Sequence, residues 1–469
     1  MGNRASSRFN SWLNSRSSSA ESFRREGSCP KERKRSLQSG NRAWLAENTF
    51  EVSIQGDSRY IAHDIRCARY DGSVPLFRAL VLALLVSIGM RAQSATVLVL
   101  RFANNSQYSE LNWVGESIAE TLRADFGQAN QIVLDRATSL EGMKRLSLRP
   151  EANFTKASII RLSQTLEADL VVYGSYEAKL PAGATQLKDS GIVINAQMID
   201  LRKLQNAPDI SEAGNLSDLA KFKERLAWQI LTYLYPATQT TFDQFMAGRT
   251  LTRLEAEESY IHGLLSPDKE HQQKWFLQAA NLDPQFVSPA FELGKVYLDR
   301  KEPKQALKWF ERVPNSDPRY LEARFRMGVA AYQAADYNAA AGYFKEVAAV
   351  MPLHEVYNNL AAAEEQLDQP AAIDDFRRAV DGDPADISYQ FNLGAALLHH
   401  NLFDEARQKL QAVIDHSPDD AEADELLAQA EARQVSPLTS KAPVPARLKF
   451  AMDSTAFRQL KAMLQPKVK

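Results

Sequence analysis

Five prolines, Pro284, Pro318, Pro352, Pro384 and Pro418, recur at intervals of 34, 34, 32 and 34 residues. Eight residues before each stand Phe276, Phe310, Phe344, Phe376 and Leu410, and four residues before those stand Gln272, Ala306, Ala340, Ala372 and Ala406. Ten residues after the first four prolines stand Gly294, Gly328, Ala362 and Gly394. A fixed period of this length marks one supersecondary unit repeated along the chain. The physical chemistry of the pattern describes two antiparallel helices per unit. Small residues let the pair approach closely, the large residue fills the gap to the next unit, and proline ends the second helix, whose hydrogen-bond ladder it cannot continue. One unit leaves its apolar face open, so units must stack. Five units are expected. The first, about 253–286, has Tyr260 and Gly263 three residues out of phase with Phe276 and Pro284, which predicts a shortened turn. Ala421 to Gln434 reads as a polar capping helix with Ala423, Leu426, Leu427 and Ala430 inward.

This phase resembles the tetratricopeptide repeat. The resemblance implies an all-α solenoid over residues 251–434, a right-handed superhelix of helical hairpins, and a groove that binds a protein or peptide. In the family's pattern the groove is lined by the fifth, ninth, twelfth and thirteenth residues of each unit. Carried over, these are Phe291, Lys295, Leu298 and Asp299; Phe325, Val329, Tyr332 and Gln333; Asn359, Ala363, Gln366 and Leu367; Phe391, Ala395, Leu398 and His399. Phenylalanine at one register in three units suggests an apolar, aromatic floor; the alternative is that these rings pack within the stack. Val329, Ala363 and Ala395 at the ninth positions leave no basic clamp for a carboxylate terminus.

Upstream, residues 96–250 read as a small α/β domain. Strands are expected at Thr96–Phe102, Ile132–Leu134, Leu170–Gly174 and Ile192–Ile199, the last alternating at Ile192, Ile194, Ala196 and Met198. Helices are expected from Leu111 to Leu122, Lys156 to Leu166 and Leu219 to Leu234, by apolar spacing of three and four. Gly174 reads as a tight turn or a close backbone approach at a strand end. The segments Val97–Asn104, Trp113–Leu122, Ala168–Ser175 and Ala196–Asp200, in this order, resemble the TolB amino-terminal-like domain and the related CsgG-like and FlgO-like domains. That resemblance implies a non-catalytic envelope or regulatory module. The cysteine that anchors CsgG-like proteins to lipid is missing, because Cys29 and Cys67 are the chain's two cysteines.

The formal charge of −2 hides an uneven distribution. Residues 1–73 carry +5, residues 435–469 carry +6, and the body between them carries −13. An acidic body argues against nucleic acid as a partner. Residues 1–73 read as a disordered leader, with two alternatives open: the natural protein starts at Val74, or the leader precedes a buried helix. Residues 74–95 read as a signal peptide, with Ala79–Gly89 as a short apolar stretch and Ala92 and Ser94 at the cut. The basic tail, 435–469, opens on a Pro-containing stretch. It then offers a short helix, started by Asp453 or Ser454, with Phe457, Leu460 and Leu464 on one face. It could dock on the acidic body, lie on a membrane or partner, or stay disordered. Membrane contact is expected only through this tail or an uncleaved signal segment.

The sequence carries no catalytic fingerprint, no cofactor motif and no metal-ligand spacing. His399 and His400 are adjacent, and adjacent residues on a helix diverge, so they make a poor metal pair. The sequence thus predicts an exported bacterial protein of the periplasm or cell envelope, not an enzyme. Its expected role is scaffold or adaptor for protein or peptide partners. Two alternatives stay open: a regulatory module of an envelope signalling system, and a CsgG-like assembly factor of a secretion apparatus.

Overall fold

The computed structural model describes residues 95–464, apart from 130, 204, 237–239 and 436–443. The expected leader, nearly all of the signal segment and the start of the tail lie outside the described residues. Two strands, β1 (Thr96–Val99) and β2 (Ala103–Asn104), open the described chain, followed by α1 (Trp113–Gln128) and β3 (Ile132–Val133). Next come α2 (Arg136–Arg145), α3 (Lys156–Thr165), β4 (Leu170–Lys179), β5 (Gly191–Asp200), β6 (Gln205–Asn206), β7 (Ile210–Asn215), α4 (Leu219–Leu234) and α5 (Phe242–Met246). The sheet runs β3-β1-β4-β5, with β6 and β7 both on β5 and β2 extending beside β4. β1 is parallel to β3 and β4, while β4, β5 and β7 are antiparallel neighbours. Val97, Leu98 and Val99 are all buried, as a central strand covered on both faces requires. One face packs Val99, Val172, Tyr176 and Ile194 against Ile118 and Leu122 of α1 and Leu226 and Ile230 of α4. The other packs Leu98, Leu100 and Val171 against Met143 of α2 and Ile159 and Leu162 of α3.

The expected third strand is twice as long as the sequence suggested. Gly174 therefore lies inside β4, not at its end. A Cβ there would sit 2.1 Å from the Asn195 carbonyl oxygen and 2.5 Å from the Phe102 ring, so the close-approach reading is the one that applies. β7 went unread because Ile210-Ser-Glu-Ala-Gly-Asn215 is mostly polar or small and has a glycine in its interior.

The remaining helices form hairpins: α6 (Leu254–Leu265) with α7 (Lys269–Leu282), α8 (Val287–Asp299) with α9 (Pro303–Phe310), and α10 (Tyr320–Gln333) with α11 (Tyr337–Ala348). Then follow α12 (His354–Glu365) with α13 (Ala372–Gly382), α14 (Ile387–His399) with α15 (Phe403–His416), and the single helix α16 (Ala421–Ala432). A Cβ on Gly294 would come within 2.5 Å of the Phe310 ring, and Gly328 meets Phe344 in the same way. Gly263 meets Phe276 too, at a sequence separation three residues shorter, which is the contracted first turn. In the three complete hairpins from α10 to α15, and in α8–α9, one residue between the helices takes a left-handed conformation: Lys301, Ala335, Asp368 and Asn401. The helix α9 is short because Pro314 stops it before the periodic Pro318. Ala423, Leu426, Leu427 and Ala430 of α16 are all buried, as the capping pattern predicts.

The α/β part and the first hairpin share one core. Tyr260, Ile261 and Phe276 join the cluster that contains Ile118 and Leu226. At the seam, Ser117 of α1 donates to Glu257 Oε1 of α6 at 2.7 Å, and Lys223 of α4 donates to Ser117 Oγ at 2.9 Å and to Glu257. Residues 444–453 then run in extended and irregular form across the hairpins, ending in α17 (Ser454–Leu464). Asp453 starts α17 by accepting from the Ala456 amide at 2.6 Å, and Phe457 and Leu460 pack against the hairpin core. Among the described residues, no helix is long and apolar enough to cross a membrane.

Candidate functional site

The tail lies on the layer formed by the first helices of the hairpins, and the side chains that hold it define the site. Asn392 of α14 accepts from the Arg447 amide at 2.6 Å and donates to the Arg447 carbonyl at 3.0 Å. Asn359 of α12 treats Lys449 in the same way, accepting from its amide at 2.9 Å and donating to its carbonyl at 2.7 Å. One side-chain amide thus satisfies both backbone groups of one residue, the pairing that a neighbouring antiparallel strand would supply. Asn358 donates to the Arg447 carbonyl at 3.2 Å and accepts from Asn392 at 2.7 Å, and Gln366 donates to the Val444 carbonyl at 2.7 Å. The three asparagines are buried.

Each clamped residue also has a side-chain pocket. The Arg447 guanidinium lies 3.6 Å from the centre of the Phe391 ring and makes a two-pronged contact with Asp420, at 2.7 and 2.8 Å. Glu422 adds a third bond at 3.3 Å. Lys449 reaches Asp386 at 2.5 Å and lies over the Tyr389 ring. Asp386 and Asp420 are the N-cap residues of α14 and α16. The helix ends therefore place the carboxylates, and the helix dipoles favour negative charge there. The hydrogen bond from Arg447 holds the Asp420 carboxyl below its usual range. Burial, with Glu355 and Asp386 nearby, raises the Tyr389 hydroxyl well above its ordinary value. Downstream, Arg326 donates to the Phe450 carbonyl, Glu355 accepts from the Asp453 amide, and Met452 is buried. A cleft of about 480 Å³ remains beside the tail, bounded by Glu355, Asp383, Asp386 and Met452.

The family pattern nominated sixteen residues, and the structure distributes them; Ala363 and Ala395 are buried in the stack and Leu367 packs against it. Asn359, Gln366 and Phe391 meet the tail directly. Phe291 and Phe325 are buried between helices, edge-on to Phe310 and Phe344. Val329 and Leu398 are core residues, as is Leu298. Lys295 pairs with Glu292, and Asp299 with Lys269 on the surface. Tyr332, whose hydroxyl burial pushes up to about 12, accepts from Gln366, and Gln333 lies beside it on α10. Asn358, Asn392, Asp386, Tyr389 and Asp420 were outside the nominated set. Their signal was chemical: asparagine is a poor helix former, yet three sit inside α12 and α14 among alanines and leucines.

His399, the last residue of α14, and His400, its C-cap, do not diverge as expected: their ring centres lie 5.2 Å apart. Both rings reach the buried Glu365 carboxylate, at 2.7 and 3.2 Å. Two imidazole nitrogens and a carboxylate oxygen lie within 4.8 Å of one another, a donor set suited to zinc. Their mutual hydrogen bonds already account for the arrangement.

A 102-residue stretch is 30% identical to sperm-associated antigen 1 of Rattus norvegicus, covering 22% of this chain and 11% of that protein. The chain thus spans about a tenth of the length of that relative. Among solved structures, MamA of Desulfovibrio magneticus RS-1 aligns at 21% identity over 36% of this chain and 98% of its own, with a TM-score of 0.33. PilF of Pseudomonas aeruginosa aligns at 20% identity, covering 38% and 85% of the two chains, with a TM-score of 0.33. YrrB, described as a TPR protein with an unusual peptide-binding site, aligns at 21% identity, covering 41% and 93%, with a TM-score of 0.30. Residues 357–420 and 391–437, from α12 to α16, match the tetratricopeptide repeat model, which supports the repeat reading for this part of the chain.

Proposed function

We propose that this chain is a non-enzymatic adaptor that holds protein or peptide partners on the first-helix face of its repeats. The observation that carries the reading is the row of amides, Asn358, Asn359, Gln366 and Asn392, bonded to the backbone of an extended segment. Backbone bonding supplies affinity independent of sequence, and flanking pockets add selectivity. Stacked tetratricopeptide units would curve this face into a groove. We also place the protein in the periplasm or cell envelope, exported by the segment 74–95, with the α/β part acting as a TolB-like module. Its strand and helix order supports that part of the reading.

The test is cross-linking capture by the full chain, compared with Asn359→Ala/Asn392→Ala. The adaptor reading expects partners that copurify with the native protein and are lost with the double variant. Identical capture by both forms would remove this face from the function. Export is tested separately by N-terminal sequencing of the natural protein, which is expected to begin at Ala95; an N-terminus in residues 1–73 would overturn it.

A further inference from the structure

Two recognition modules repeat on this face. Asn392 with Phe391 and Asp420 takes one residue, and Asn359 with Tyr389 and Asp386 takes the residue two further on. Each module joins an amide that grips the backbone, a ring beneath the cation and a carboxylate at its end. Residues two apart in an extended chain project to the same side, which is why both modules can be filled at once. A guanidinium suits the two-pronged contact with Asp420, and a single ammonium suits Asp386. The fit is specific in charge: the two modules and Glu422 oppose any acidic segment.

We propose that this face selects extended segments of the pattern Arg-x-Lys, that residues 444–453 are its resident occupant, and that a partner segment of the same chemistry binds by displacing them. The proposal rests on the adaptor reading above and names its ligand class. The resident segment is suited to exchange. Its held part combines the polar clamps with a short apolar footing, Val444 and Met452 buried and Ala446 and Leu448 half-buried against the hairpins, while Phe450 is exposed. Its attachment to α16 gives it a high effective concentration, so an outside segment competes at a disadvantage until the tail is weakened.

The experiment uses the full chain and a fluorescein-labelled decapeptide with the sequence of residues 444–453, read by anisotropy. Arg447→Ala/Lys449→Ala in the chain weakens the resident tail. This variant is expected to bind the probe at least tenfold more tightly than the unmodified chain. A peptide with glutamate in place of both basic residues is expected not to bind. Adding Asp386→Asn/Asp420→Asn to the tail variant keeps both helix caps, since asparagine caps as well as aspartate. It is expected to weaken the probe at least tenfold. Equal probe affinity for the unmodified chain and the tail variant would overturn the resident-occupant assignment. Equal affinity for the glutamate peptide would overturn the Arg-x-Lys selectivity. Light scattering that shows a dimer dissolved by Arg447→Ala/Lys449→Ala would assign the tail to a second copy and overturn the displacement model. If the probe binds no form while Asn359→Ala/Asn392→Ala still abolishes partner capture, this proposal fails and the adaptor reading survives.

Discussion

Lys223 and Glu257 are a buried ion pair, 3% and 6% exposed, at the seam between the α/β part and the first hairpin. Such a pair contributes little net stability against an apolar substitute, but removing one partner strands a buried charge. Glu257→Ala is therefore expected to destabilise the protein by about 3–5 kcal/mol, while Lys223→Met/Glu257→Leu stays within about 1–2 kcal/mol of the parent. Urea unfolding of the three forms checks this; a double variant as unstable as the single one would mean that the pair's own attraction dominates. The inter-helix turns pose the opposite residue-scale problem. Ala335 holds a φ of 59°, where a Cβ crowds the following carbonyl oxygen. Glycine relieves that strain, although it also frees the unfolded chain. Relief of the strain outweighs the added freedom, so Ala335→Gly is expected to stabilise by roughly 0.5–1 kcal/mol, seen as a higher urea midpoint at unchanged slope.

At the scale of elements, the site is a tail segment set between two helix N-termini, and its electrostatics give docking a pH dependence. The Arg447 hydrogen bond depresses the Asp420 carboxyl in the docked state. Docking is therefore fully supported above the ordinary aspartate range and loses that support as pH falls through the depressed value. Spin labels at positions 425 and 450 should report a fixed distance at pH 7 that broadens toward pH 3. Asp420→Asn should show the broadened distribution at both. A distribution that stays narrow in Asp420→Asn at pH 7 would contradict the role of this pair. The hairpins themselves were legible because small–large–proline spacing is a packing requirement that every unit must meet, and it survived even the shortened first turn. β5 was legible for the same reason, since its alternation reports one covered face. Of the asparagine clamps, the repeat register reached Asn359 and missed Asn392 and its neighbour Asn358. The register identifies positions that face the neighbouring helices, and Phe291 and Phe325 used theirs to fill the stack. The tail's destination was half-legible. Its charge was opposite to the body's, but charge alone chooses no surface, and the amide row that does so comes from two helices a unit apart.

At the scale of the molecule, the tail works as a strap. It starts against Asp420 at the far end of the repeats, crosses α14, α12 and α10, and finishes with α17 beside the edge strand β3. There Arg458 donates to the Val133 carbonyl at 2.9 Å and to Asp135 at 3.3 Å, and Lys461 donates to the Pro318 carbonyl at 2.9 Å. An open edge strand invites pairing with other chains, and a helix laid over it is one way that proteins prevent this. The strap thus joins two tasks in one segment, because what leaves the repeat face also loosens the cover of the sheet. Arg458→Ala/Leu460→Ala removes the far anchor without touching the Arg447 and Lys449 clamps. Hydrogen exchange in residues 132–133 and in the paired residues 96–97 is expected to quicken by tenfold or more, with exchange in α14 little changed. Arg447→Ala/Lys449→Ala is expected to quicken both regions if the segment behaves as one body. Quickening confined to α14 would instead make α17 an independent dock, and displacement of the tail by a partner would then leave the sheet edge covered.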